Sequence, residues 1–162
     1  MSTDGRQLHI THAGAPAPAR TMYDERFLVP MRQDLTEVGF TELRTAAEVD
    51  EALQTKPGTA MVLVNSICGC SARMARPAAR IAMGHATKPD HFYTVFAGQD
   101  AEATAQARSY FEGYPPSSPS MAILRDGKLV WMLERWQIEG RPAEEIAEEL
   151  IAAFDEHCDV RS

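Results

Sequence analysis

Residues 59 to 64 read TAMVLV, a compact apolar run without the alternating polar positions of a half-exposed strand. Such a run reads as a strand buried on both faces, and a strand of that kind needs helices on either side of its sheet. His91 to Ala97, HFYTVFA, is a second β-prone run. Met121 to Leu124 and Lys128 to Trp136 flank Asp126-Gly127, a strong hairpin signal. Phe40 to Leu43 reads as a short first strand.

Helical patterns fill the gaps. From Tyr23, the residues Phe27, Met31, Leu35 and Val38 fall on one apolar stripe, with Pro30 expected to kink it or start a second segment and Gly39 to end it. Thr45 to Glu48 is a capping box, opening a helix that turns Val49 and Leu53 inward. A helix is expected from about Cys70 to His85, with Met74, Ala78, Ile81 and Ala82 on one side and Pro77 interrupting it. Ala101 to Glu112 is alanine-rich and helical. Tyr114 to Ser120 is a rigid proline-serine loop. Arg141-Pro142 opens a last helix with Ile146, Leu150, Ile151 and Phe154 as its stripe. Residues 1 to 21 mix Gly, Ala, Pro and polar residues without periodicity and read as a flexible tail. A single domain is expected over 22–162.

Composition excludes several function classes. At 162 residues the chain builds a core of its own and needs no disulfide or metal for bulk stability. Net charge is −7, which argues against a nucleic-acid or anionic-membrane surface. Three cysteines do not make a secreted disulfide framework. No stretch reaches the roughly 18 apolar residues of a membrane span. The first twenty residues lack the apolar stretch of a signal peptide. The expected compartment is a reducing cytoplasm, where a close cysteine pair is catalytic or metal-binding more often than structural.

Asn65-Ser66-Ile67-Cys68-Gly69-Cys70 presents such a pair immediately after the buried strand. Thiol–disulfide exchange needs a thiolate, and a helix N-terminus favours one through its free N–H groups and dipole. Cys68 stands at that boundary, so it is the candidate nucleophile and Cys70 the resolving thiol. Arg73 and Arg76 are candidate sources of positive potential, Arg76 alternatively a structural residue. Gly69 supplies the backbone freedom that a disulfide ring between cysteines one residue apart requires. Trp131 and Trp136 read as packing residues. The competing class is a metal site built from Cys68, Cys70, Cys158 and a histidine such as His85, His91 or His157. Zinc sites normally show two short-spaced ligand pairs, and only one is convincing here, since the adjacent His157-Cys158 would need an irregular helix end. Cys158 itself is open between a second resolving thiol, an intermolecular bridge and a bystander.

The order of elements, a βαβ half followed by a ββα half, is that of the thioredoxin fold, an α/β fold with a central mixed sheet flanked by helices. An extra helix precedes it here. In that fold a cis proline immediately before the fourth strand faces the reactive cysteine, and Pro119 stands at that place. The cysteine stretch, Ala75-Arg76-Pro77, Val95 to Asp100, Pro116-Ser117-Ser118-Pro119-Ser120 and Ile138-Glu139-Gly140 together resemble the bacilliredoxin family over about Tyr23 to Cys158.

The resemblance implies a thioredoxin-like fold and the removal of bacillithiol, or a similar small thiol, from cysteines of other proteins. Cys68 and Cys70 would be catalytic, with Asn65, Ser66, Gly69, Arg76, Ser118 and Pro119 in support. The small thiol would be a co-substrate, no cofactor or metal would be bound, and the partners would be S-thiolated cytoplasmic proteins. Some members have been regarded as disulfide isomerases, which makes that activity the alternative. Two departures stand out. Ser71-Ala72-Arg73 replaces the usual Ala-Ala-Gly, and Trp136 stands in a region where histidine is often found. Both leave the thiol chemistry intact and bear on which small thiol and which targets are used.

Overall fold

The computed structural model describes residues 23–159, so the tail expected over 1–21 lies outside the described residues. Helix α1 runs Glu25–Thr36, followed by β1 (Thr41–Glu42), α2 (Ala46–Gln54) and β2 (Thr59–Asn65). A π turn, Ser71–Ala75, leads into α3 (Arg76–Ala82). Then come β3 (His91–Phe96), α4 (Ala101–Arg108), β4 (Ser120–Arg125), β5 (Lys128–Leu133), α5 (Arg135–Ile138) and α6 (Ala143–His157).

The strands form one sheet in the order β1-β3-β2-β4-β5. The three strands β1, β3 and β2 are parallel, β4 runs antiparallel to β2, and β5 runs antiparallel to β4. Every residue of β2 is buried, as its unbroken apolar run requires. Met61 and Leu63 face a core shared with α3 and α6, where Ala78, Ile146, Leu150 and Phe154 pack. Val62 and Val64 face the opposite core, with Val49 and Leu53 of α2 and Ala103 and Ala107 of α4.

Local signals predict the turns and caps well. Thr45 Oγ1 accepts from Glu48 N–H at 3.1 Å while Glu48 Oε1 accepts from Thr45 N–H at 3.3 Å. Gly127 takes φ +80° in the hairpin, and a Cβ there would lie 2.8 Å from the Leu53 carbonyl oxygen, so glycine is required twice over.

Four expectations are corrected. Phe27 is 69% exposed, and the inner face of α1 is Leu28, Arg32 and Leu35. The reason is electrostatic: Arg32 is buried and bonds Glu25 at 2.6 Å, Glu42 at 2.7 Å and Asp100 at 2.8 Å, which rotates α1 onto the sheet. Its guanidinium also lies 5.1 Å from the centre of the Phe96 ring. Pro30 does not divide α1, which is continuous. Ile81 is 46% exposed, because the inward face of the cysteine helix is Ala75, Ala78, Ala79 and Ala82. Pro77 sits in the first turn of α3, and the π turn before it absorbs the bond that proline cannot make: Arg76 N–H reaches back to Ser71 O. Finally, the strand expected to reach Trp136 ends at Leu133. Glu134 N–H donates to Gln137 Oε1 at 2.9 Å and the chain coils into α5.

Candidate active site

The buried strand β2 ends at Asn65, and the chain leaves the sheet there to start the next helix. Asn65 is 1% exposed and is anchored at both ends of its amide. Its Nδ2 donates to Met31 O at 3.2 Å, and its Oδ1 accepts from Ser66 N–H at 2.9 Å and Arg76 Nη1 at 2.8 Å. Arg76 is buried as well, with further bonds to Ser66 O at 3.0 Å and Asp34 at 3.1 Å. Its guanidinium is committed to these groups, so its role is to hold the turn before the cysteines.

Ser66 carries that order to the thiol. Its hydroxyl lies 3.2 Å from Cys68 Sγ and 3.1 Å from Ser71 Oγ. Cys68 is half-buried at the helix start, where its carbonyl already accepts from Ser71 N–H at 3.0 Å. Burial pushes the Cys68 thiol up, but the Ser66 hydroxyl, the Ser71 and Cys70 N–H groups and the Arg135 charge outweigh it, and its pKa lies below the ordinary thiol value. Cys70 moves the other way. Burial and the Cys68 charge raise it, Arg135 opposes them, and Glu139 adds to the rise. The Cys70 Sγ lies 3.8 Å from Glu139 Oε2. Both thiols are free.

A test follows from these opposite shifts. Alkylation consumes the thiolate, so Cys68 is expected to reach its half-maximal rate at a lower pH than Cys70 and to react first at neutral pH. Peptide mapping after iodoacetamide treatment across pH 5 to 10 measures this, on the parent and on each single-cysteine variant. A higher midpoint at Cys68 would reverse the two assignments.

Cys68 opens onto a shallow cleft of about 310 Å3 lined by Tyr23, Ser66, Ala97, Arg108, Ser118 and Arg135, among others. The Ser118–Pro119 bond is cis. The Ser118 carbonyl accepts from Arg135 Nη1 at 3.2 Å. A larger cleft of about 680 Å3 lies among Gln54, Tyr110 and Trp131, but none of its lining residues is a cysteine. Chemistry rather than size therefore locates the site.

Gly69 does not have the positive φ of turn glycines such as Gly98 and Gly127. It is already helical, and a Cβ there would lie 3.3 Å from Nη1 of the exposed Arg73 side chain. Trp136 is 71% exposed beside Arg135 and does not pack in the core, whereas Trp131 does pack against it.

The cation that acts on both thiols is Arg135, which goes unnoticed in the sequence because residues 128–136 read as strand. The Glu134–Gln137 cap is the local signal that would have revealed the turn. Gln99 is legible in the sequence only as part of a turn. It is buried and holds Tyr23 at the cleft by bonds of 3.2 Å to both its N–H and its carbonyl.

The metal ligands considered above are not brought together. Cys158 lies beside Thr59 and Arg125, at the beginning of β2, while Cys68 follows its end. At about 3.3 Å per residue, the seven residues of β2 separate them by roughly 20 Å. His91 opens the parallel strand β3 beside Ala60, His157 ends α6, and His85 pairs with Asp155 at 2.8 Å. Among the described residues no three His, Cys, Asp or Glu side chains gather as a metal site. The same separation removes Cys158 as a resolving thiol within the molecule. Burial raises its pKa.

The family described as Disulphide isomerase matches residues 23–158 of this chain. A bacilliredoxin of Koribacter versatilis (strain Ellin345) is 56% identical over 137 residues, covering 85% of this chain and 94% of that protein. The chain belongs to the bacilliredoxin family. A family member from Bacillus licheniformis is 51% identical over 142 residues, covering 85% of this chain and 99% of its own. Among solved structures, a mutant thioredoxin from Halobacterium salinarum NRC-1 superposes with a TM-score of 0.53 at 13% identity, covering 77% of this chain and 96% of that one. The oxidised thioredoxin from Plasmodium falciparum gives a TM-score of 0.52 at 19% identity, covering 72% and 98%. These likenesses establish the thioredoxin fold. Family and fold together make the protein a thiol–disulfide oxidoreductase. Among the described residues no helix is long and apolar enough to cross a membrane.

Proposed function

We propose that this oxidoreductase removes bacillithiol, or a similar small thiol, from mixed disulfides on cytoplasmic proteins. The observation that carries the reading is the Cys68 thiol, held below its ordinary pKa at a helix start and open to a small cleft. The Cys68 thiolate attacks the small thiol's sulfur. The old disulfide breaks, the target cysteine leaves as a thiolate, and the small thiol remains bonded to Cys68. Cys70 then attacks the Cys68 sulfur and expels the small thiol as a thiolate, leaving a Cys68–Cys70 disulfide. A second small-thiol molecule serves the same end by exchange at the bound thiol. No cofactor is needed for either step, because the electrons stay among sulfurs.

The description of the matching family favours a second reading, disulfide isomerisation. The two differ in substrate. Mass spectrometry of a bacillithiolated protein is expected to show loss of the adduct with the parent enzyme, while scrambled ribonuclease regains little activity. An enzyme that only reshuffles the ribonuclease would replace the first reading with the second.

A further inference from the structure

Buried arginines in this molecule generally bring their own acids. Arg32 has three carboxylates and Arg76 has Asp34. Arg108, the last residue of α4, is half-buried and does not. Its Nη2 donates to Ser117 O at 3.2 Å, but its Nε is buried with no hydrogen-bond partner, and no carboxylate pairs with it among the described residues. A partly desolvated guanidinium without an anion is costly, and a buried orphan donor calls for an explanation. Burial holds its pKa below the ordinary arginine value.

The location supplies the explanation. Arg108 lines the Cys68 cleft, and Arg135 lines it too, whereas no Asp or Glu does. Arg135 has Glu139 at 3.1 Å, outside that lining, so Arg108 is the cation still lacking an anion. A guanidinium has five N–H donors in a fixed fork that matches a carboxylate; Ser117 uses one on Nη2 and Nε is buried, so the donors left for a ligand are on Nη1 and Nη2. A cleft of about 310 Å3 is at the small end of ligand pockets and suits a small molecule better than a folded protein's acidic loop.

We infer that Arg108, with Arg135, forms a carboxylate-binding subsite that holds the anionic part of the small thiol while its sulfur is passed to Cys68. The inference rests on the small-thiol exchange proposed above and narrows its substrate class to thiols bearing a carboxylate. Arg108 is on this view a specificity-determining residue, separate from the thiolate chemistry.

Two alkylating agents of similar size test the subsite without turnover. The Cys68 thiolate displaces iodide from iodoacetate, which carries a carboxylate, or from iodoacetamide, which is neutral. Their rate ratio cancels any change in thiolate fraction. Against the ratio for a free cysteine peptide, the parent is expected to favour iodoacetate by about tenfold, one charge-assisted contact. Arg108→Gln should lower that ratio several-fold toward the peptide's, whatever it does to the thiolate fraction, with Arg135 left in place. Succinate should slow iodoacetate modification of the parent and neutral succinamide should not, an arm that needs no variant to fold. Equal ratios in parent and variant, or a parallel fall in both rates, would overturn the inference.

The second arm separates it from the function. A protein loaded with 3-mercaptopropionate should be cleared about tenfold faster than one loaded with cysteamine. Equal clearance overturns the subsite alone, whereas clearance of neither overturns the exchange and the subsite with it.

Discussion

Cys68→Ser is expected to lose bacillithiol removal by more than about a thousandfold, because a serine hydroxyl is not ionised at neutral pH and does not form the mixed disulfide. Cys70→Ser is expected to behave differently. The first exchange is an attack by one thiolate on one sulfur, so this variant should still strip the target. It should then be isolated carrying the small thiol on Cys68, since the resolving thiol is gone. Added free small thiol should restore turnover. Intact-mass measurement of both variants after reaction with a bacillithiolated protein checks each statement. The structure explains why Cys70 is no substitute: its pKa is raised, by burial and by the Cys68 charge, and Glu139 lies 3.8 Å from its sulfur. Stripping by Cys68→Ser at the parent rate would end the assignment. Capture of whole proteins by Cys70→Ser, with no small-thiol adduct, would favour the isomerase.

Arg76→Met should produce the largest loss of stability near the site. The substitution keeps an unbranched side chain of similar length but removes the donors to Asn65 Oδ1, Ser66 O and Asp34. Asp34 is 44% exposed and regains water, so most of the cost comes from the buried turn. Leaving the Ser66 carbonyl without this donor, and Asn65 Oδ1 with one fewer, is expected to cost about 3 kcal/mol. For a chain of this length that lowers Tm by roughly 9 °C. Arg80→Met is the control, since Arg80 is 46% exposed and 3.6 Å from the same Asp34. It should cost less than about 0.5 kcal/mol. Thermal unfolding of the three proteins measures both effects. An Arg76→Met protein as stable as the control would show that Arg76 does not hold the turn. Because Asn65 and Ser66 lie between Arg76 and Cys68, the variant should also alkylate at Cys68 more slowly at neutral pH.

The parts legible in the sequence are those whose cause is local. TAMVLV has no polar face, so β2 had to be central. The Thr45–Glu48 box and the Asp126-Gly127 turn are closed by residues within a few positions of each other, and both occur as read. The cysteine pair's place at a strand end and helix start follows from the same local logic. Where expectation and structure part, a distant partner has intervened. Apolar spacing puts Phe27 inward, but Glu42 and Asp100 hold the opposite choice through Arg32.

The order of elements, the membership in a family of thiol–disulfide oxidoreductases, and the closely spaced thiols at a helix start are all written in the linear chain. Which charges those thiols feel depends on packing. Arg135 and Arg108 come from α5 and α4, far from Cys68 in the chain, and meet it only because β2 lies between β3 and β4 in the sheet. Packing also rules out Cys158 as a partner of Cys68 within the molecule, since the strand that carries the chain to the site holds them at its two ends. Coulomb interactions depend on separation in space, and chain position does not report that separation until the sheet order is known.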